Sequence, residues 1–143
     1  MKKIGGVIVS HGRLANELLA AAEQVVGDLP HIAAVSIGWH DDVEAARAEV
    51  ERSIEKVSDG NGVLLLTDMF GGTPTNISAM FFEEDKIEVV TGVNLPMVIK
   101  LASQNTEMSL DEMASAVEIQ GKESIYRAGE LLIPKKSQKD ASG

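Results

Sequence analysis

The sequence predicts an α/β fold built on a doubly wound, mostly parallel sheet. Four short runs rich in valine, isoleucine and leucine alternate with segments whose apolar residues recur at helical spacing. Continuous apolar runs are typical of strands covered on both faces, and strands that alternate with helices form right-handed crossovers in a parallel sheet. The predicted strands are residues 4–9, 32–37, 63–66 and 87–90.

The first two predicted helices are amphipathic and have clear ends. Gly27 is placed to stop the first, and Asp41 or Asp42 can cap the second, which ends before the glycine-rich segment 59–62. Their apolar faces consist of Leu14, Leu18, Leu19, Ala22, Val25 and Val26 in the first helix, and of Val43, Val50, Ile54 and Val57 in the second.

The third and fourth predicted helices each have a proline near the start. Thr73 is expected to be the N-cap of the third helix and Pro74 its first residue, where the missing N–H costs nothing. That helix is expected to run to about residue 82. Pro96 is expected to start the fourth helix, which should end near residue 105.

The last predicted elements are a capped helix and a short strand. Ser109 and Glu112 have the spacing of a capping box, and Gly121 is expected to bend or interrupt the helix that follows. Residues 130–133 are predicted to form an edge strand. We expect a single domain at residues 1–134 and a disordered polar tail at residues 135–143.

The composition excludes several classes of function. The 143 residues include no cysteine, so disulfides, thiolate nucleophiles and cysteine-based metal sites are excluded, and a reducing cytoplasm is the expected location. The net charge of −9 argues against binding nucleic acid, which requires clustered lysine and arginine. No apolar run approaches the length of a membrane span, so we expect no membrane insertion.

The ends of two predicted strands carry the residues best suited to chemistry. His11 follows the first strand, and Asp68 follows the third. In doubly wound folds, ligands bind at the carboxyl ends of the strands, where the strand order reverses. With the strand order 2-1-3-4, the first and third strands are neighbours at that point, so we expect His11 and Asp68 to face one crevice.

Together these residues indicate phosphoryl transfer through histidine. A carboxylate that accepts a hydrogen bond from the His11 Nδ1–H group would leave the Nε2 lone pair free and would stabilise a positive ring. The N–H groups of Gly71, Gly72 and Thr73, at the start of a helix, could bind the phosphoryl oxygens. Gly12 and Phe70 are expected to border the site.

Other residues near the expected crevice leave alternatives open. Trp39 either covers the core or contacts a partner from an exposed position, and His40 could border the crevice. Met69 and Phe70 either form an exposed apolar lip for docking or pack inside. His31 precedes a strand, at the wrong end for a site, and is interpreted as incidental.

Three segments resemble the enzyme IIA domain of the mannose family of the bacterial phosphotransferase system. They are Ile-Val-Ser-His-Gly at residues 8–12, Leu-Thr-Asp-Met-Phe-Gly-Gly-Thr-Pro at 66–74 and Thr-Gly-Val-Asn-Leu-Pro-Met at 91–97. The resemblance covers roughly residues 3–133. It implies a doubly wound sheet and a homodimer whose subunits exchange the short C-terminal strand.

The resemblance also implies roles for the matching residues. His11 would accept a phosphoryl group from the histidine phosphocarrier protein and donate it to a IIB protein, with Asp68 beside it. Asn94 would belong to the loop that borders the site. The IIB acceptor is expected to be a separate protein, and neither a metal nor an organic cofactor is implied. Two positions differ from the family pattern: Phe70, where tryptophan is common, and the loop at residues 38–42, which usually contains proline and glycine.

Two alternatives use the same residues differently. In the first, the phosphohistidine regulates a partner, or serves a dihydroxyacetone pathway instead of sugar uptake. In the second, the segment at residues 71–73 binds a phosphorylated metabolite without transferring the phosphoryl group. A hydrolase is less favoured, because only His11 and Asp68 present themselves as acid or base.

Overall fold

The predicted α/β architecture is confirmed by a computed structural model, which describes residues 2–104 and 107–132. Its strands are β1 (Gly5–His11), β2 (Ile32–Ile37), β3 (Val63–Thr67) and β4 (Ile87–Thr91). Its helices are α1 (Leu14–Val26), α2 (Val43–Val57), α3 (Thr73–Ala79), α4 (Leu95–Ala102), α5 (Leu110–Glu123) and α6 (Ala128–Leu131).

The four strands form a parallel sheet in the predicted order 2-1-3-4. Apolar side chains point alternately to the two faces of the sheet, because successive residues of a strand face opposite ways. Leu64 and Leu66 pack beneath α1, α4 and α5, whereas Val63 and Leu65 pack beneath α2 and α3. Burial on both faces explains why the strands are continuous apolar runs.

The helix starts follow capping chemistry. Asp42 caps α2 by accepting a hydrogen bond from the Ala45 N–H, and Ser109 and Glu112 form the predicted capping box of α5. Asn94 caps α4, which begins one residue before the predicted Pro96. Capping satisfies N–H groups that have no partner within the helix.

Two predictions about α3 are wrong. Gly72, and not Thr73, is its N-cap, because the chain turns into the helix at Gly72 with a φ of +86°. The helix ends at Ala79, not near residue 82. Beyond Ala79 the N–H groups of Met80, Phe81 and Phe82 bond to carbonyls three residues back, which tightens the chain into the turn before β4.

The prediction that Gly121 bends or interrupts α5 is wrong, because the helix is continuous through this residue. The glycine instead allows α4 and α5 to approach closely. A Cβ atom at position 121 would lie 2.5 Å from the Met97 Sδ, well inside contact distance. Position 121 therefore requires glycine because α4 and α5 pack closely there, and not because the helix breaks.

The prediction of a C-terminal strand at residues 130–133 is also wrong for residues 130–132, which the structure describes. Ala128–Leu131 form a single helical turn, in which the Leu132 N–H bonds to the Ala128 carbonyl at 2.9 Å. A strand requires a neighbouring strand, whereas this exposed segment satisfies its N–H groups locally. Residue 133 and the predicted tail at residues 135–143 lie outside the described residues, as does the predicted end of α4 near residue 105.

Candidate functional site

His11 and Asp68 meet at the carboxyl edge of the sheet, as the topology predicted. The Asp68 Oδ2 lies 2.8 Å from the His11 Nδ1, and the same oxygen accepts a hydrogen bond from the His11 backbone N–H at 2.9 Å. β1 and β3 are adjacent, so the residue that ends β1 and the residue after β3 are neighbours. Asp68 thus holds both the backbone and the ring of His11.

The protonation of this pair follows from the bonds. Burial alone would raise the pKa of Asp68, but hydrogen bonds from the His11 N–H and ring, together with the ring charge, hold that pKa below its ordinary value. Asp68 is therefore ionised at neutral pH and can only accept hydrogen bonds. In neutral His11 the proton must then reside on Nδ1, and Nε2 has a free lone pair.

The Nε2 edge of the His11 ring lies against the start of α3. A Cβ atom at position 72 would lie 2.9 Å from both Nε2 and Cε1 of His11. Gly72 also has a positive φ of +86°, a backbone conformation that favours glycine. Both the close approach of the ring and the turn into α3 therefore require glycine at this position.

Hydroxyl groups that sequence reasoning missed hold both halves of the site. The buried Ser10 Oγ accepts a hydrogen bond from the Ala15 N–H at 2.6 Å and donates one to the His11 carbonyl at 3.1 Å. This ties the end of β1 to the start of α1. The only sequence signal was a polar residue next to His11 in an apolar run.

The hydroxyls of Thr67 and Thr75 support the loop after β3. The Thr75 Oγ1 donates a hydrogen bond to the Met69 carbonyl at 2.5 Å and lies 3.0 Å from the Thr67 Oγ1. Thr67 and Thr75 are both buried. The loop that carries Asp68 and Gly72 is thereby fixed from within.

The remaining predicted site residues occupy different surroundings. The Asn94 Oδ1 accepts a hydrogen bond from the Met97 N–H, and its Nδ2 donates one to the Gly121 carbonyl, each at 3.2 Å. Its side chain therefore caps α4 and does not bond to His11. Gly12 and Phe70 are exposed beside His11 and Asp68, and His40 is exposed beyond the end of β2.

The described residues contain neither a metal-binding cluster nor a membrane-spanning helix. In the described ranges, no three histidine, aspartate or glutamate side chains are grouped closely enough to hold a metal ion. No helix in this part of the chain has the length and apolar character to cross a membrane.

Several known proteins with similar sequences are components of the phosphotransferase system (PTS). The mannose-specific EIIAB component of Escherichia coli strain K12 is 32% identical over 126 residues, which cover 83% of this chain and 38% of that protein. The fructose-specific EIIA component of Bacillus subtilis strain 168 is 25% identical over 130 residues, which cover 90% of this chain and 89% of that protein.

A solved structure supports the same relationship. The mannose/sorbose-specific IIA subunit from Enterococcus faecalis superposes with a TM-score of 0.77 at 32% identity, covering 87% of this chain and 94% of that chain. The family model described as PTS system fructose IIA component matches residues 5–118. The predicted resemblance is thus confirmed, and the chain belongs to this IIA family of the phosphotransferase system.

Proposed function

We propose that this chain is a cytoplasmic phosphoryl carrier for sugar uptake. His11 accepts a phosphoryl group from the histidine phosphocarrier protein and donates it to a separate IIB protein. The observation that carries the proposal is the 2.8 Å contact between the His11 Nδ1 and the Asp68 Oδ2, which leaves the Nε2 lone pair free beside Gly72. Membership of the IIA family supports the same role.

The chemistry requires one nucleophile and no external acid or base. The Nε2 lone pair attacks the phosphorus, and the bond between phosphorus and the donor's histidine nitrogen breaks as the new bond forms. The His11 ring then carries a positive charge, which the Asp68 carboxylate stabilises through the Nδ1–H group. Transfer to the IIB protein reverses these steps and returns His11 to its neutral form.

Backbone donors next to Nε2 are suited to the phosphoryl oxygens. We assign this role to the N–H groups of Gly71, Gly72 and Thr73, with the Thr73 hydroxyl in addition. The first N–H groups of a helix have no partner inside it, and the helix dipole favours an anion there. The contact between the His11 ring and Gly72 brings these donors close to the reacting nitrogen.

Phosphorylation by the general phosphotransferase proteins and phosphoenolpyruvate tests the proposal. We expect the wild-type chain to gain one acid-labile phosphoryl group, measured by intact-protein mass spectrometry. His11→Ala should abolish this gain, because it removes the nucleophile. His40→Ala is the matched control, since His40 is exposed at the same edge of the sheet, and it should be phosphorylated like the wild type.

Asp68→Asn in the same assay tests the orienting role of the carboxylate. Loss of an orienting aspartate from a serine-protease triad costs on the order of 10⁴ in rate, so we expect a large decrease here as well. Asp59→Asn changes an exposed carboxylate at the amino end of the sheet, away from His11, and should leave the rate unchanged. A wild-type chain that stays unmodified would instead favour a phosphometabolite-binding module.

We further propose that the chain forms a homodimer through its C-terminal part. Exposed apolar side chains cluster there, and the outer edge of β4 has no strand beside it among the described residues. A groove between β4 and α5 runs along this edge. The exposed apolar residues are Ile119, Ile125, Tyr126, Leu131 and Leu132.

A further inference from the structure

Two exposed aromatic side chains lie on opposite sides of His11. Trp39 comes two residues after Ile37, which is paired with His11 across the sheet. Phe70 comes two residues after Asp68, whose carboxylate binds His11. The loops after β2 and β3 therefore place one aromatic ring on each side of the candidate nucleophile.

These two rings are unusually exposed. Trp39 is 94% exposed and Phe70 is 84% exposed, more than any other aromatic side chain in the described residues. Exposed rings contribute nothing to the core, whereas tryptophan and other aromatic side chains are common anchors of protein interfaces. The positions of Trp39 and Phe70 therefore indicate a docking surface.

The loop that carries Trp39 is internally fixed. The Gly38 N–H donates a hydrogen bond to the Asp41 Oδ2 at 2.5 Å, and the Asp41 N–H donates one to the Gly38 carbonyl at 3.1 Å. Both bonds close a turn with Trp39 and His40 at its tip. A loop whose backbone is held in one conformation before binding loses less conformational entropy on docking.

The loop that carries Phe70 is fixed in a comparable way. The Thr75 hydroxyl bonds to the Met69 carbonyl, directly before Phe70. Met69 itself is also exposed, and so is Leu14 on the first turn of α1. The aromatic pair thus belongs to a set of exposed apolar side chains that follow the carboxyl ends of β1, β2 and β3, which we call the apolar border.

The charges around this border determine which partner it suits. Asp41 and Asp42 directly follow the Trp39 turn, and the whole chain has a net charge of −9. An acidic surface around apolar anchors attracts a basic protein and repels acidic ones. Although the exposed Arg13 lies two residues from His11, the net charge favours a carrier whose own surface is positive.

We propose that Trp39 and Phe70 are the two aromatic anchors of a docking surface for the basic protein that delivers the phosphoryl group to His11. The inference rests on the proposed function. It adds the residues that determine partner affinity, one of which, Trp39, lies in the loop that differs most from the family pattern.

Steady-state transfer kinetics test the inference. The phosphorylated histidine phosphocarrier protein is varied as substrate against wild type, Trp39→Ala, Phe70→Ala and Phe82→Ala. We expect Trp39→Ala and Phe70→Ala each to raise KM about tenfold or more while kcat stays near the wild-type value, as for interface anchors. Phe82, which is 53% exposed after α3, is the matched control and should leave KM unchanged.

Salt and assembly give two further readouts. KM of the wild type should increase with ionic strength, because salt screens the attraction between the acidic surface and the basic partner. An unchanged KM in both aromatic variants, with the wild type phosphorylated normally, overturns the docking surface and leaves the proposed function intact. A shift of either variant from dimer to monomer would assign the rings to a second copy of this chain instead.

Discussion

The three histidines show how local surroundings decide what one residue type does. The His11 side chain is 49% exposed and bonded to a carboxylate, whereas His40 is exposed on a turn. The His31 ring nitrogens are buried at the amino end of the sheet. Burial, together with the nearby positive charge of Lys3, lowers the pKa of His31. His31 therefore lies at the opposite end of the sheet from the candidate site, as expected from the sequence, and its ring is partly buried.

Stability should consequently depend on pH through His31. The unfolded chain binds a proton at this residue below about pH 6.5, whereas the folded chain does so only at lower pH. We expect the free energy of unfolding to fall as the pH drops below that value. Urea denaturation of His31→Gln over this range should show a flatter dependence than the wild type, and His40→Gln should not. Equal slopes for wild type and His31→Gln would contradict this.

At the scale of elements, the loop between β3 and α3 depends on the hydroxyl of Thr75. Thr75→Val keeps the shape of the side chain but removes the shorter of the two hydrogen bonds to the Met69 carbonyl, which keeps only the 3.5 Å bond from the Thr67 Oγ1. We expect a loss of about 1–2 kcal/mol in the free energy of unfolding. Because the same loop carries Asp68, kcat for phosphoryl transfer should also fall, with little change in KM.

Thr75→Ser is the control for this prediction, because it retains the hydroxyl. We expect it to transfer phosphoryl groups at nearly the wild-type rate and to regain most of the lost stability. Chemical denaturation and the same transfer assay measure both effects. If Thr75→Val matched the wild type in both, the hydroxyl would have no part in positioning the loop.

Apolar runs, capping residues and strand order could be predicted from the sequence, but individual side-chain contacts could not. The strands follow from apolar runs, and Asp42 and Ser109 signal their helix starts through short-range capping. The meeting of His11 and Asp68 followed from topology alone. By contrast, the bonds of Ser10 and Thr75 and the contact of Gly121 with Met97 join segments whose distances no local pattern encodes.

On the scale of the whole molecule, the exposed C-terminal residues predict self-association. We expect sedimentation to show a dimer that dissociates on dilution, since burial of apolar surface drives association. Ile125→Glu should shift the equilibrium toward monomer by placing a charge in the contact. Val25→Glu is the matched control, because Val25 is exposed on α1 and should have no effect. A wild-type monomer at every concentration would contradict the proposed dimer.

The C-terminal strand illustrates what a single chain leaves undetermined. Its apolar residues resemble a strand in the sequence, but a strand requires a neighbour, and within one chain the described residues 128–131 form a helical turn instead. The exchange of this segment between subunits stays a prediction.

The parallel sheet separates the two ends of the molecule into different tasks. His11, Asp68, Trp39 and Phe70 all follow the carboxyl ends of strands, whereas the loop at residues 58–62 lies at the amino end. A fluorophore or affinity tag inserted in that loop would sit a full strand length away from the chemistry. The fold therefore provides its own attachment point for watching phosphoryl transfer without disturbing it.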